Sequence, residues 1–181
     1  MTLRDSVVET LRDWAAPSPE QDALREAVLG FVLARPDSCQ RSCEPGHITA
    51  SVAVLDAEGT RVLLTLHPRL GRWVQLGGHC EPGDSDIRAA ALREASEESG
   101  IVDLQLGGLA AVDVHALTCS LGRPTRHLDL QFAASAPAHA QISISDESLD
   151  LRWWPVDDLP ADTDHAVHAL VAAVVAHRSL E

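Results

Sequence analysis

The 181-residue chain has no lysine and no tyrosine, and its aromatic complement is four tryptophans and two phenylalanines. All 14 basic residues are arginine, set against 27 acidic ones, which leaves a formal net charge of −13. A surface this short of positive charge argues against the phosphate-neutralising face that nucleic acid requires, so nucleic acid is not an expected partner. Arginine at every basic position reflects either a GC-rich genome or a preference for planar phosphate-binding groups, and composition does not separate the two. No apolar run approaches the ~20 residues that a membrane span needs. Met1 to Leu11 carries Arg4, Asp5 and Glu9 among its apolar residues. It therefore lacks the unbroken core of a secretory signal, and a cytoplasmic location is expected. Cys39, Cys43, Cys80 and Cys119 are accordingly expected as reduced thiols. The spacing of Cys39, Cys43 and His47 would suit zinc, but no second paired cluster stands nearby, and buried or loop thiols are the plainer reading.

The length suits one domain with an appendage. Leu3, Val7 and Leu11 recur every four residues, which predicts a first helix ending before Pro17 and Pro19. Ser18 can cap a second helix with Pro19 at its first position, striped by Leu24, Ala27, Val28, Phe31 and Val32 and closed by Pro36. Residues 1–46 thus read as a helical N-terminal extension, free to cover a strand edge or a partner subunit in a homodimer. From Ile48 the period changes to two, and Ile48, Ala50, Val52 and Val54 predict a strand. Val62, Leu64 and Leu66 supply its hairpin partner across a turn at Gly59. Trp73 to Leu76 reads as a short strand ended by Gly77-Gly78. A helix over Asp86 to Ser99 follows, stopped by Gly100. Val112, Val114 and Ala116 predict a strand, paired with one carrying Leu128, Leu130, Phe132 and Ala134. Leu149, Leu151 and Trp153 make a last strand, and a closing helix begins near Asp162 or Thr163. The pattern predicts an α/β (α+β) domain over residues 47–181, a mixed sheet with helices on both faces.

A chain that is itself acidic needs cations to meet a phosphate substrate, and clustered carboxylates hold hard cations. Glu94, Glu97 and Glu98 stand at helical spacings of three and four and so form one acidic patch. Such like-charge pairs cost about 0.2–0.5 kcal/mol each, so the patch is unfavourable until something neutralises it. A bound cation would, and Arg93 offsets part of the repulsion; a solvated acidic face is the alternative. Ala89, Ala90, Ala91, Leu92 and Ala95 leave little else of the helix polar. Gly77-Gly78 and Gly83 precede it, in a loop whose backbone can approach a ligand closely.

Taken together, the 25 residues from Gly77 to Ile101 resemble the signature of the Nudix hydrolase family, with Gly78, Arg93, Glu94, Glu97, Glu98, Gly100 and Ile101 in the specified places. The resemblance implies a Nudix-like sheet between helices, and hydrolysis of a phosphoanhydride bond in a nucleoside diphosphate-linked or nucleoside triphosphate substrate. It implies Mg²⁺ or Mn²⁺ held by Glu94, Glu97 and Glu98, with the Gly77 carbonyl as a weaker candidate. Arg93, Glu97 and Glu98 are then catalytic candidates. The general base is open between this set and an outside residue, for which Glu147, in a polar loop before the last strand, is the candidate. Two departures stand out. Asp84 replaces the family glutamate and lies one residue further from Arg93 than the pattern asks, which leaves their pairing open; Ala95 is small where a larger aliphatic residue is usual. Glu81, in the glycine loop, is either a further metal contact or a soluble turn residue. His127 and Asp129 share a strand face and are either substrate contacts or polar surface, and Trp153 and Trp154 either stack on a base or fill the core. Two rival readings are a noncatalytic nucleotide-binding module and an isoprenoid diphosphate isomerase-like enzyme, for which Cys80 would be the thiol.

Overall fold

The computed structural model describes residues 1–118 and 122–178, with the side chains of His177 and Arg178 left aside. Helix α1 (Leu3–Asp13) begins in a capping box between Thr2 and Asp5. Helix α2 (Pro19–Ala34) is capped by Ser18, with Pro19 in its first turn. The remaining elements are β1 (His47–Leu55), β2 (Arg61–His67), β3 (Arg72–Val74), β4 (Leu76–His79), α3 (Ile87–Ser99), β5 (Gln105–Thr118), β6 (Pro124–Ser135), β7 (Asp150–Pro155) and α4 (His165–Arg178).

The strands form one seven-stranded mixed sheet in the order β3-β2-β1-β6-β5, with β4 also paired to β1 and β7 to β2. β1 and β6 run parallel, from His47↔His127 to Leu55↔Ser135, while the other pairs are antiparallel. β1 is central, and all nine of its residues are buried. Its far end pairs with β2 at Val54↔Leu63, and then β4 takes over the same edge from Val52↔Leu76 to Thr49↔His79. The switch brings the glycine-rich β4 alongside the middle of the sheet.

Alternation along β1 divides the core into two. Ile48, Ala50, Val52 and Val54 join Leu128, Leu130 and Phe132 beneath α1, α2 and α3, whereas Ala53 and Leu55 join Val62, Leu64 and the stripe Val167, Leu170, Val171 and Val174 of α4. Each large side chain withdrawn from water contributes about 1.5–3 kcal/mol, so both layers are substantial. The N-terminal helices belong to the first of these cores through Val7, Leu11, Val28 and Val32. Gln21 also caps an edge: its side chain donates to the Val112 carbonyl (3.1 Å) and accepts from the Val112 N–H (2.8 Å), satisfying β5 where, among the described residues, no further strand pairs with it.

The structure departs from the sequence pattern at several points. Trp73 to Leu76 is two strands, broken at Gln75, and Gly77-Gly78 lie inside β4 rather than in a terminating loop. A Cβ at Gly77, where φ is +147°, would stand 2.5 Å from the Ser51 Cα, so the tight β1–β4 approach hides as apparent loop chemistry. β5 starts at Gln105, ahead of its alternating residues, because irregularities between Leu106 and Ala111 erase the period there. α4 begins at His165, since Thr163 is occupied in donating its hydroxyl to the Trp73 carbonyl (2.5 Å) and Asp164 accepts from the Val167 N–H. Cys39, Cys43 and Cys80 are free thiols, and Cys119 lies outside the described residues.

Candidate active site

Asp86 caps α3 by accepting from the Ala89 N–H (2.8 Å), and Gly100, at φ +72°, ends it in the left-handed conformation. Alanines 90, 91 and 95 are fully buried, so the helix lies close against β1 and β4. The small Ala95 is thus a packing residue. This closeness brings the glutamates to the glycine strand. Glu98 is 8 % exposed and accepts from the Gly77 N–H at 2.9 Å. The Glu94 carboxylate lies over Gly78, where a Cβ would come within 2.8 Å of it. Glu97 projects outward, its side chain 61 % exposed.

Arg93 ties the region together. Its Nε and Nη2 donate to the two oxygens of Asp84 at 2.9 and 3.1 Å, Nη2 also reaches the His79 carbonyl (2.9 Å), and Nη1 reaches Glu94 (3.0 Å) and Glu97 (3.1 Å). The extra residue before Arg93 therefore leaves the pair intact. A turn absorbs it, in which the Asp84 N–H donates to the Glu81 carbonyl and the Glu81 N–H to the Asp84 carboxylate. Burial works against the charge on Asp84, but Arg93 and the Glu81 N–H outweigh it and hold the carboxyl below its ordinary value. Glu81 itself is exposed.

The inner glutamates behave in the opposite way. Burial pushes Glu98 up to about 8, against the help of the Gly77 N–H, and the charges of Glu94, Glu147 and Glu97 add to the rise. Glu94 is also raised, by burial first, with Arg93 opposing and Glu97 and Glu147 reinforcing. Glu147 stands in an exposed turn, yet its charge is felt at both inner carboxyls. The connection is anchored where the Ser143 N–H donates to the Ser99 carbonyl (2.7 Å), so the loop before β7 passes the end of α3.

This donor set fits a hard divalent cation. Inner carboxyls raised first by burial and further by one another's charge, with a backbone amide as the contact to Glu98, are oxygen ligands that a cation would stabilise. Among the described residues they are not drawn into a three-ligand group, because Arg93 holds Glu94 and Glu97 while Glu98 turns to Gly77.

Other candidates fall elsewhere. Asp129 is buried rather than a polar surface residue, accepting from Thr49 (2.8 Å), Ser51 (2.6 Å) and Gln131 (3.1 Å). His127 faces His47 and His79, a cluster that sequence reasoning missed because its members come from three separate strands. Cys39 and Cys43 do not join His47 in that cluster. Cys80 is buried and its thiol pushed up by that burial, which does not suit an isomerase thiol. Trp154 packs edge-on against Trp73, and Trp153 lies beneath Arg61, so both are engaged in packing. A cleft of about 530 Å³ opens between α2, β5 and α4, lined by Gln21, Asp113, Gln131 and Asp164 among others and by none of the glutamates above.

The fold is thus a mixed sheet between helices, with a glycine strand laid against the inner carboxylates of the central helix. The NUDIX domain model matches residues 45–174, and the chain belongs to the Nudix family. Among solved structures it is similar to a NUDIX-family hydrolase from Clostridium perfringens, with 26% identity, 75% of this chain and 98% of that one covered, and a TM-score of 0.55. A likeness of fold extends to the E. coli dihydroneopterin triphosphate pyrophosphohydrolase, with 22% identity, 72% and 95% covered and a TM-score of 0.60. It extends equally to a C. elegans Ap4A hydrolase in a binary complex, with 21% identity, 74% and 98% covered and a TM-score of 0.58. None of the curated proteins matches.

Proposed function

We propose that the chain hydrolyses a phosphoanhydride bond in a nucleoside diphosphate-linked or nucleoside triphosphate substrate, with Mg²⁺ or Mn²⁺ held by Glu94, Glu97, Glu98 and the Gly77 carbonyl. The observation that carries this is the buried Glu98 carboxylate, set against the Gly77 N–H on the same helix as Glu94 and Glu97: such a carboxyl is costly until a cation joins it. When bound, the cation supplies neutralisation of the diphosphate charge and polarisation of its oxygens. The protein's own part is positional. Asp84 fixes Arg93, Arg93 spaces Glu94 and Glu97, and β4 sets the carboxylates against a backbone that a substrate can approach. Glu97 and Glu147 are the exposed carboxylates able to take a proton from an attacking water, with Glu98 the buried alternative. We assign residues 47–181 to the hydrolase domain and 1–46 to an extension that supports it, in a cytoplasmic protein.

The test is a panel of nucleoside triphosphates, ADP-ribose, dinucleoside polyphosphates and NADH, each with Mg²⁺ or Mn²⁺. At least one is expected to release phosphate-containing products, and Glu97→Gln is expected to lower turnover by about 10²–10⁴-fold. Glu97 is exposed, so that loss would not come from misfolding. Full activity in the variant, or none on any substrate, would refute the assignment.

A further inference from the structure

Three imidazoles from three strands meet on one face of the sheet. His47 opens β1, and His127 is its register partner on β6. His79 closes β4 opposite Thr49, two residues along β1 from His47, so all three side chains project the same way. The ring centroids lie 4.9 to 5.1 Å apart, and one nitrogen from each ring lies within 4.8 Å of the other two. His47 is 1 % exposed. Its Nε2 and that of His127 are sealed from solvent with no hydrogen-bond partner. A buried nitrogen left this way is unfavourable, and two belonging to one cluster of rings ask for a shared partner.

The donor chemistry says which partner. Three imidazoles with two sealed, unpartnered nitrogens among them offer nitrogen lone pairs as ligands. The His47 Nδ1 lies 3.5 Å from the Cys43 carbonyl, an arrangement that puts its proton there and leaves Nε2 as the lone pair. Neutral imidazole suits zinc and its transition-metal neighbours, whereas magnesium prefers oxygen. We propose that His47, His79 and His127 bind one divalent transition-metal ion of the zinc class, at a site separate from the α3 carboxylates. Tetrahedral ligation at about 2.0–2.1 Å would draw the three nitrogens to roughly 3.4 Å of one another. His115, whose ring lies 5.3 Å from His127, is bound through Nδ1 to Asp113 and is not counted as a ligand. Arg41 lowers the proton affinity of all three rings and opposes the ion, so its retention falls to the nitrogens. Bound there, the ion would join β1, β4 and β6.

The site goes beyond the hydrolytic reading, and the two can fail separately. The full chain, stripped by chelator, is titrated with Zn²⁺ in excess Mg²⁺ against a chromophoric competitor, with native mass spectrometry for stoichiometry. One equivalent is expected, raising the melting temperature. His47→Ala and His127→Phe, the latter keeping the volume filled, should each weaken retention by about 100-fold or more. Glu98→Gln should retain Zn²⁺ like the parent. With Co²⁺, the unaltered protein should show the visible bands of nitrogen ligation without thiolate charge transfer, a readout that stands even if both histidine variants misfold. Absence of Zn²⁺ retention, retention in the folded histidine variants, loss in Glu98→Gln, or a thiolate band pointing to Cys39 and Cys43 would each overturn the proposal.

Discussion

The carboxylate end of α3 and the imidazole cluster share strand β4 but differ in how each meets burial. At one end Gly77 gives its N–H to Glu98; two residues on, His79 turns its ring to His47 and His127. Burial penalises charge in both, so it raises the acid Glu98 and lowers the bases His79 and His127. The lesson is that one strand can border two donor sets of opposite protonation habit, the carboxylate oxygens of α3 at one end and imidazole nitrogens at the other. What permits this is the close β1–β4 contact, and that contact is where the comparison breaks most easily. Gly77→Ala places a Cβ 2.5 Å from Ser51 at a φ of +147°, so we expect a loss of about 3 kcal/mol in chemical denaturation and the collapse of both clusters. A variant as stable as the parent would mean that β4 is not held as tightly as described.

The opposite protonation habits give the next largest effect. Glu98 is raised from 4.5 to about 8, so its contribution to stability is present at low pH and is lost as pH rises toward 8. His79 and His127 are lowered from 6.5 to about 4 and 3, so theirs is present above 6.5 and is lost as pH falls. Melting temperature in chelator should therefore decline on both sides of a narrow optimum, each limb on the order of 2 kcal/mol or roughly 5 °C. Glu98→Gln should flatten the alkaline limb alone, and His127→Phe the acid limb alone. Mg²⁺ should flatten the alkaline limb as well. Limbs that do not separate in this way would show that the two clusters titrate as one.

The two regions were also unequally legible in the sequence. Glu94, Glu97 and Glu98 lie within one helix, where local spacing sets their face, and Arg93 is next to them; the acidic patch could be read directly. The strands β1 and β6 could be read from periodicity in the same local way, since their apolar residues alternate. The imidazole cluster depends on a parallel β1–β6 register and on β4 replacing β2 along the edge of β1, neither of which leaves a linear signal. Asp129 was misjudged on the same account, since its burial depends on hydroxyls from β1. Gly77 and Gly78 carried the right chemistry in the wrong element, because a glycine that permits strand contact and one that permits a loop look alike in sequence.

Arg93 is the physical link between the regions, since it donates both to the glutamates and to the His79 carbonyl. Asp84 positions it from the loop, one residue out of the family register, and the turn at Glu81 is what lets the shorter side chain reach. Asp84→Ala should therefore cost about 1 kcal/mol, a modest figure because the Arg93 side chain is 21 % exposed and keeps its other partners. Turnover should fall by less than tenfold, since the variant leaves every proposed ligand in place but lets Arg93 draw more closely on Glu94 and Glu97. Asp84→Glu separates length from charge: if the inserted residue has tuned the loop to aspartate, the longer acid should restore less than half of the lost stability. Parental stability and turnover in Asp84→Ala would show instead that the His79 carbonyl and the glutamates hold Arg93 without help, and that the bidentate pair contributes nothing to the link.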